Sequence, residues 1–393
     1  MNGSRRRLGS RRIASFGETV FATYTRLAQE HGAINLGQGF PDFDPPPFVL
    51  NAYREAAAGS QQYAPVPGLP ALTETVAAVH GELLGRQLDP VANVQVTVGA
   101  TEALFAIMQA MVDPGDEVII VEPFYDSYPA DVVMAGGIPI YVPLEPTESG
   151  DWSLDLDAVR QVCSDRTRLL LLNTPHNPTG KVFGAEELDA LIDLAESFNF
   201  YIVSDEVYEH IAFETHIPTA SRPGAWNRTL SISSLGKTFS ITGWKIGWAI
   251  GPEPLIQVLR GAHQWISFAV ATPLQAAAAT MLRQGADDGY FSEVRGLYLA
   301  KRERIVRGLS NSPFRPLVPA GSYFVIADSS ALGYPDDVAL CLDLPKRARV
   351  AAIPPSAFYS EGHRELARHL VRFAFCKEDE ALDRAGQRLR SLN

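Results

Sequence analysis

The feature that most constrains the fold is a regular alternation of short apolar runs and amphipathic stretches between about residues 90 and 290. The apolar runs are rich in β-branched residues and lack polar alternation, which is typical of strands covered on both faces. The predicted strands are 94–98, 117–121, 139–144, 169–172, 201–204, 230–233 and 248–250. Helical patterns at 102–111, 154–162 and 185–198 lie between them. This order predicts an α/β fold with a mostly parallel sheet flanked by helices.

The two ends of the chain have a different pattern. A predicted amphipathic helix at 16–31 precedes a segment rich in glycine and proline, and a predicted charged helix at 294–309 precedes strand-like pieces at 323–327 and 370–375. We therefore expect a large domain at residues 44–290 and a smaller α+β domain built from residues 1–43 and 291–393.

Composition excludes several classes of function. The 393 residues carry 34 Lys+Arg against 45 Asp+Glu, a net charge of −11, so the chain lacks the basic surface that nucleic-acid binding requires. The three cysteines lie far apart without metal-binding spacing, which predicts no metal site and a reducing, cytoplasmic compartment. No run reaches the ~18 apolar residues of a membrane span. Five arginines among the first twelve residues are interpreted as a solvated tail, with a transit peptide or an anion-binding arm as alternatives.

Lysine is scarce in this chain, since arginine supplies 28 of the cations and lysine only six. Two of the six, Lys237 and Lys245, are eight residues apart in the segment SSLGKTFSITGWKIGW. Lys237 follows a strand-like piece, at the kind of strand end where α/β proteins form their sites. A neutral lysine amine can form a Schiff base with an aldehyde, whereas arginine cannot, so Lys237 is a candidate for covalent chemistry.

The lysine segment resembles the cofactor-lysine segment of the class I aminotransferases, which use pyridoxal phosphate on the fold-type I architecture. Other segments match in order and at similar spacing: INLGQGFPDFDPP, VTVGATEAL, EPFYDSY, NTPHNPTGKV, SDEVYEHI, HQWISF, AGSYF, IPPSAFY and VRFAFCKEDEAL. They are similar to the branch that holds kynurenine aminotransferases, glutamine transaminase K and bacterial methionine aminotransferases. The resemblance runs from about residue 16 to 389 and implies a fold-type I enzyme with a large and a small domain.

The resemblance assigns roles around the pyridoxal phosphate ring. Lys237 would bind the aldehyde and later move the proton at the substrate Cα, which requires a neutral amine near pH 7. Asp205 would pair with the pyridine nitrogen and keep it protonated. Tyr208 and Asn177 would donate to the phenolic oxygen of the cofactor, with Asn173 nearby. Without the resemblance, Asp205 would be interpreted as a helix N-cap and both asparagines as turn residues.

A phosphate cradle is predicted where the strand at 94–98 meets the next helix. Small residues and unpaired N–H groups at a helix start accommodate an anion. By resemblance the cradle consists of Gly99, Ala100, Thr101, Ser234 and Lys245. The ring of Tyr125 would stack on the pyridine.

The remaining predicted residues concern the substrate and a second subunit. Arg372 would bind the substrate α-carboxylate with a bidentate guanidinium, and the Gly37 backbone would contact the same group. Phe21 matches a pocket aromatic. Members of the family are homodimers with shared sites, so Tyr63 would reach the phosphate of the neighbouring subunit and Phe268 would line its substrate pocket.

These residues predict an aminotransferase that moves the α-amino group of a neutral or aromatic amino acid to a 2-oxo acid by a ping-pong mechanism. Methionine, glutamine, phenylalanine, tyrosine and kynurenine-like donors are the candidates, since no motif supplies a second substrate arginine. Thr101 stands where the animal kynurenine enzymes tend to carry an aromatic residue, which favours a bacterial-type methionine or broad-specificity donor. A cysteine S-conjugate β-lyase and an N-succinyldiaminopimelate aminotransferase remain alternatives on the same scaffold. A transcription regulator and a nucleotide-dependent dehydrogenase are disfavoured, because no added DNA-binding module and no dinucleotide fingerprint are present.

Overall fold

The computed structural model describes residues 9–14, 16–147 and 149–392. Arg5, Arg6 and Arg7 of the predicted solvated tail lie outside the described residues. Thirteen strands are described: β1 (Ile34–Asn35), β2 (Val94–Thr97), β3 (Glu117–Glu122), β4 (Ile138–Pro146), β5 (Trp152–Leu154), β6 (Thr167–Asn173), β7 (Tyr201–Asp205), β8 (Thr229–Ser234), β9 (Gly247–Ile250), β10 (Arg315–Leu317), β11 (Phe324–Asp328), β12 (Val350–Ala351) and β13 (Leu370–Ala374).

The described α-helices are equally numerous, and several short 3₁₀ turns lie between them. They are α1 (Val20–Glu30), α2 (Pro47–Ala57), α3 (Pro70–Leu84), α4 (Gly99–Met111), α5 (Ser127–Ala135), α6 (Leu156–Val162), α7 (Ala185–Ser197), α8 (Leu235–Thr238), α9 (Glu253–Ile266), α10 (Thr272–Asp287), α11 (Tyr290–Ser310), α12 (Asp337–Arg347) and α13 (Asp379–Leu389). None of these helices is long and apolar enough to cross a membrane.

An eight-stranded sheet in the order β2-β9-β8-β7-β6-β3-β4-β5 forms the centre of the molecule. The neighbours from β8 to β4 pair in parallel, while β9 pairs antiparallel with both β2 and β8. Both faces are covered, as the continuous apolar runs predict: Val118 and Ile120 pack into a cluster with α4 and α9, and Ile119 and Val121 into a cluster with α7. The predicted mostly parallel α/β sheet is therefore confirmed.

The carboxyl ends of three adjacent strands carry polar residues. Asn173 ends β6 and lies opposite Asp205, the last residue of β7. Ser234 ends β8, and the short helix α8 follows it directly and carries Lys237. Because parallel strands end at one edge of the sheet, these side chains converge there.

The remaining strands form two small sheets near the C-terminal part of the chain. β10, β11 and β13 make an antiparallel sheet, and β1 from the N-terminal segment pairs in parallel with β12. The N-terminal segment thus contacts the C-terminal elements. The division into domains at 44–290 and at 1–43 with 291–393 stays a prediction.

Two predicted helix boundaries are corrected. The helix predicted over 16–31 begins at Val20, because the Thr19 side chain accepts the Ala22 N–H and caps the helix there. The helix predicted over 154–162 begins at Leu156. Leu154 belongs to β5, and the Asp155 carboxylate accepts the next backbone N–H groups as the N-cap.

Candidate active site

A cavity of about 280 Å³ opens at the carboxyl ends of the central strands. That volume is close to the lower end of the range for small-molecule sites, about 300–1,000 Å³. Eleven of the residues predicted from the sequence line it: Gly99, Ala100, Thr101, Tyr125, Asn173, Asn177, Asp205, Tyr208, Ser234, Lys237 and Lys245. Segments more than a hundred residues apart thus meet in one cavity, although their individual roles stay predictions.

Lys237 lies in α8, which is held in place by the buried Leu235. Its side chain is partly accessible, and Nζ lies 5.6 Å from the ring centres of both Tyr208 and Tyr323. Burial lowers the pKa of Lys237 to about 8, with a smaller contribution from the charges of Lys245 and Arg372 in the same direction. About a tenth of the amine is therefore neutral at pH 7 and about half at pH 8, and the neutral form is the one that Schiff-base and proton-transfer chemistry requires.

Asp205 is 5% exposed, and its carboxylate Oδ2 accepts a hydrogen bond of 2.7 Å from the Tyr128 hydroxyl. Burial raises the pKa of Asp205 to about 6, and the Tyr128 bond acts against that rise. A nearby cationic group would favour the ionised form further. Tyr128 was not predicted as a site residue. Tyr128 lies in the first turn of α5, and its ring centre is 5.7 Å from that of Tyr125, which precedes the helix; the nearness of the two tyrosines in EPFYDSY is the signal that could have found it.

The predicted phosphate cradle lies at the turn from β2 into α4. Gly99 has φ +69°, and a Cβ there would lie 3.3 Å from Lys245 Cε, so glycine suits both the backbone and the packing. Lys245 Nζ donates to Thr101 Oγ1 at 2.9 Å. A lysine ammonium beside the first N–H groups of a helix forms a site for an anion.

Asn173 and Asn177 connect the end of β7 to Arg372 through a chain of hydrogen bonds. Asn173 Nδ2 donates to the Asp205 carbonyl at 2.8 Å, and Asn173 Oδ1 accepts the Asn177 N–H at 2.6 Å. Asn177 Oδ1 in turn accepts from Arg372 Nη1 at 3.2 Å.

Arg372 lies in the middle of β13 and is only 1% exposed, so it faces the interior and not solvent. Its Nη2 donates to the Gly37 carbonyl at 2.7 Å, while Nε has no partner among the described residues. Its guanidinium carbon lies 4.3–5.2 Å from the ring centres of Phe324, Phe358 and Phe21. Burial lowers the pKa of Arg372 to about 10, which leaves it charged at pH 7. Sequence reasoning missed Phe324 and Phe358, although AGSYF and IPPSAFY contain them.

Tyr63 and Phe268 lie apart from the cavity. Their rings meet edge to face with centres 5.3 Å apart, and the two residues are 84% and 47% exposed. Neither lines the cavity of its own chain.

The side chains that line the cavity suit pyridoxal phosphate. The cavity offers a lysine whose amine is neutral in part, a buried carboxylate, a tyrosine ring and a glycine turn beside Lys245. The unpaired Arg372 Nε is a buried donor suited to a carboxylate brought by the substrate.

Comparison with known proteins identifies the family. The model of the aminotransferase class I and II family matches residues 31–389. A probable N-succinyldiaminopimelate aminotransferase, DapC, of Mycobacterium tuberculosis is 44% identical over 97% of this chain and 98% of that protein. The kynurenine–oxoglutarate transaminase of Dictyostelium discoideum is 38% identical over 98% of this chain and 96% of its own length.

Solved structures agree on the architecture. The M. tuberculosis N-succinyldiaminopimelate aminotransferase superposes with a TM-score of 0.94 over 98% of this chain and 100% of that one, at 44% identity. YbdL of Escherichia coli, identified as a methionine aminotransferase, superposes with a TM-score of 0.93 over the same shares at 38% identity. The predicted fold-type I architecture is confirmed. The chain belongs to the class I and II aminotransferase family, whose members are pyridoxal-phosphate-dependent transaminases.

Proposed function

We propose that this aminotransferase takes the α-amino group from a neutral or aromatic amino acid and gives it to a 2-oxo acid in a ping-pong reaction. The observation that carries this proposal is the set of cations at the site. Among the described residues that line the cavity the cations are Lys237 and Lys245, and Arg372 lies beside it within three phenylalanine rings. A single arginine can bind the α-carboxylate of the substrate, and the phenylalanine rings around it favour a substrate with an uncharged side chain.

Pyridoxal phosphate, when bound, supplies an aldehyde for the amino group and a ring that accepts the electrons left by Cα–H cleavage. Gly99, Ala100, Thr101, Ser234 and Lys245 would hold its phosphate, and Tyr125 its ring. Lys237 Nζ would remove the Cα proton and return one during the second half of the reaction, since its lowered pKa leaves a base near neutral pH.

Asp205, oriented by the Tyr128 hydroxyl, would hold a proton on the ring nitrogen. Arg372 would bind the α-carboxylate through Nε, the donor that has no partner among the described residues. The phenylalanines around Arg372 would exclude water from this ion pair and so strengthen it.

N-succinyldiaminopimelate is the second candidate donor, favoured by the 44% identity to the M. tuberculosis relative. This donor carries carboxylates besides the α-carboxylate. It would therefore need a cation beyond Arg372, such as one from a second subunit.

We further propose a homodimer with shared sites that works in the cytoplasm. The exposed aromatic side chains of Tyr63, Trp265 and Phe268 support the dimer, because such a patch suits burial against a second copy. The three cysteines are all free thiols, which supports a reducing compartment.

A panel of amino donors with a fixed 2-oxo acid tests the substrate class. We expect kcat/KM for methionine, glutamine or an aromatic amino acid to exceed that for aspartate by at least about tenfold. Fastest turnover of aspartate would overturn the proposal, and fastest turnover of N-succinyldiaminopimelate would select the second candidate. A parallel run without acceptor, with a cysteine S-conjugate, detects β-lyase activity as pyruvate.

A further inference from the structure

A buried carboxylate next to the phosphate cradle joins two helices. Glu102 lies in the first turn of α4 and is 8% exposed. Its Oε1 accepts hydrogen bonds from His263 Nδ1 at 2.7 Å and from Ser267 Oγ at 2.6 Å. Its Oε2 accepts the Val98 N–H, immediately before Gly99 of the cradle.

Glu102 carries the negative charge of this cluster. Burial alone would raise the pKa of Glu102, but the bonds from His263, Ser267 and Val98 outweigh it and hold the pKa below its usual value. Because the carboxylate is ionised, His263 Nδ1 is the donor of the shared proton. His263 is fully buried at the last turn of α9, and its Nε2 has no partner among the described residues.

Capping of α4 uses only one of the two carboxylate oxygens. The hydrogen bond that Oε2 accepts from the Val98 N–H satisfies the N-cap backbone of the helix, as a capping glutamate does. The two donors on Oε1 come from α9 and the residue that ends it, more than 160 positions away in the chain. The cluster therefore connects the cradle to the turn after α9.

That turn carries Phe268, one of the two exposed aromatic residues that contact each other. Phe268, with φ +65°, donates its N–H to the His263 carbonyl at 3.1 Å and meets the Tyr63 ring. Two further bonds tie the turn region to the segment around Tyr63: Thr272 Oγ1 donates to the Gln62 carbonyl at 2.5 Å, and the Leu69 N–H donates to Gln275 Oε1 at 2.7 Å. Tyr63 and Phe268 are thus fixed relative to the cradle of their own chain.

We propose that Glu102, through His263 and Ser267, is a positioning residue for the active site of the partner subunit. This inference rests on the proposed dimer, in which Tyr63 and Phe268 serve the other subunit. Glu102 holds the turn that carries Phe268, and Phe268 packs against Tyr63, so that binding in one subunit depends on a carboxylate in the other.

Hybrid dimers separate an effect across the interface from an effect within one chain. One subunit carries Lys237→Ala and the other is unmodified. The visible band of bound cofactor then arises from the unmodified subunit alone. The substitution Glu102→Gln is then added to the Lys237→Ala subunit only. Pyridoxal phosphate is titrated into each hybrid, and its dissociation constant is read from the visible band of the unmodified subunit.

We expect Glu102→Gln in the inactive subunit to raise that dissociation constant about tenfold, as loss of a well-placed bond to a charged group does. KM for the amino donor should rise while kcat changes little. Ser267→Ala removes one donor to Glu102 and should raise the dissociation constant about threefold. This second variant keeps the inference testable if Glu102→Gln fails to fold.

Glu253→Gln is the matched control, since Glu253 is an exposed glutamate in the first turn of α9. Glu253→Gln should leave the dissociation constant for pyridoxal phosphate unchanged. An unchanged constant with Glu102→Gln and Ser267→Ala, in hybrids that remain dimeric and show the band, would overturn the inference alone. Absence of a dimer or of the band in the Lys237→Ala hybrid itself would instead overturn the proposed function.

Discussion

Burial sets the ionisation of Lys237 and Asp205, the two residues proposed to control the protons of the reaction. It lowers the pKa of Lys237 to about 8 and raises that of Asp205 to about 6, so both values move towards neutral pH. The two shifts have the same cause but opposite signs, because burial disfavours the charged form of each group.

The Tyr128→Phe substitution tests how Asp205 stays ionised. The hydroxyl of Tyr128 lowers the pKa of Asp205, so its loss should raise that pKa. In the proposed mechanism activity needs the Asp205 carboxylate, and the acidic limb of the kcat/KM profile should therefore move up by about one pH unit, equivalent to about 1.4 kcal/mol.

Tyr141→Phe is the control, since Tyr141 does not line the cavity. It should leave the profile in place. An unchanged acidic limb in Tyr128→Phe would show that the hydroxyl does not influence the ionisation of Asp205.

The sequence predicted the cavity residues better than the groups that orient them. Lys237 stood out because lysine is scarce, and Asp205 because it follows an apolar strand. Tyr128, Phe324 and Phe358 were missed, because their importance depends on partners that only the folded chain brings close. The same holds for Glu102, whose partners lie more than 160 positions away.

At the scale of elements, continuous apolar runs located seven of the eight strands of the large sheet to within a few residues and missed the short edge strand β5. They did not reveal the direction of β9, which runs antiparallel between β2 and β8. A continuous apolar run indicates a strand covered on both faces, but it does not fix the direction of an individual strand, which depends on the path of its connections.

β9 approaches the cradle so closely that only glycine is accommodated at its first residue. A Cβ on Gly247 would lie 2.7 Å from the Ala100 backbone nitrogen and 2.9 Å from the Ser233 carbonyl oxygen. Gly247→Ala should therefore displace the cradle, destabilise the protein by about 1–3 kcal/mol and weaken cofactor binding.

Thermal unfolding and titration with pyridoxal phosphate measure these two effects. Gly243→Ala is the matched control, because a Cβ there meets nothing within 4 Å. Equal stability and equal cofactor affinity of Gly247→Ala and Gly243→Ala would contradict the close approach of β9 to the cradle.

A buried glutamate links β8 and α3 behind the site. Glu209 accepts a hydrogen bond from Ser233 of β8 and lies 3.7 Å from His80 of α3. Burial raises the pKa of Glu209 to about 8, so its contribution to stability is complete at low pH and is lost as the pH rises towards 8. Between pH 6.5 and 8 this loss is about 2 kcal/mol at ~1.4 kcal/mol per pH unit.

Glu209→Gln should therefore lose less stability than the original protein over that range. Denaturant unfolding at several pH values provides the measurement, and the lowered pKa values of His80 and His210 matter only below about pH 6.5. The exposed Glu214 gives the control variant Glu214→Gln. Identical pH dependence in Glu209→Gln and the original protein would contradict the raised pKa.

At the scale of the whole molecule, the cavity holds the residues expected for the cofactor but not Tyr63 and Phe268. A second copy would supply them, and Trp265, which is 85% exposed, lies next to the same turn. Trp265→Glu should weaken the dimer, because a charge would have to be buried at the interface. Analytical ultracentrifugation should show dimers for the original protein and monomers for the variant at micromolar concentration.

Val318→Glu is the matched control, since Val318 is 54% exposed on a different part of the chain. It should remain dimeric. A dimeric Trp265→Glu variant would place the interface elsewhere.

The central claim is that the Lys237 amine holds the cofactor aldehyde. The most direct measurement is borohydride reduction of the purified protein loaded with pyridoxal phosphate, followed by peptide mass spectrometry. The account predicts that reduction abolishes the visible band and leaves the cofactor mass on the peptide that contains Lys237, and that Lys237→Ala shows neither band nor label. A label on Lys245 or another lysine, or a visible band that persists in Lys237→Ala, would contradict it.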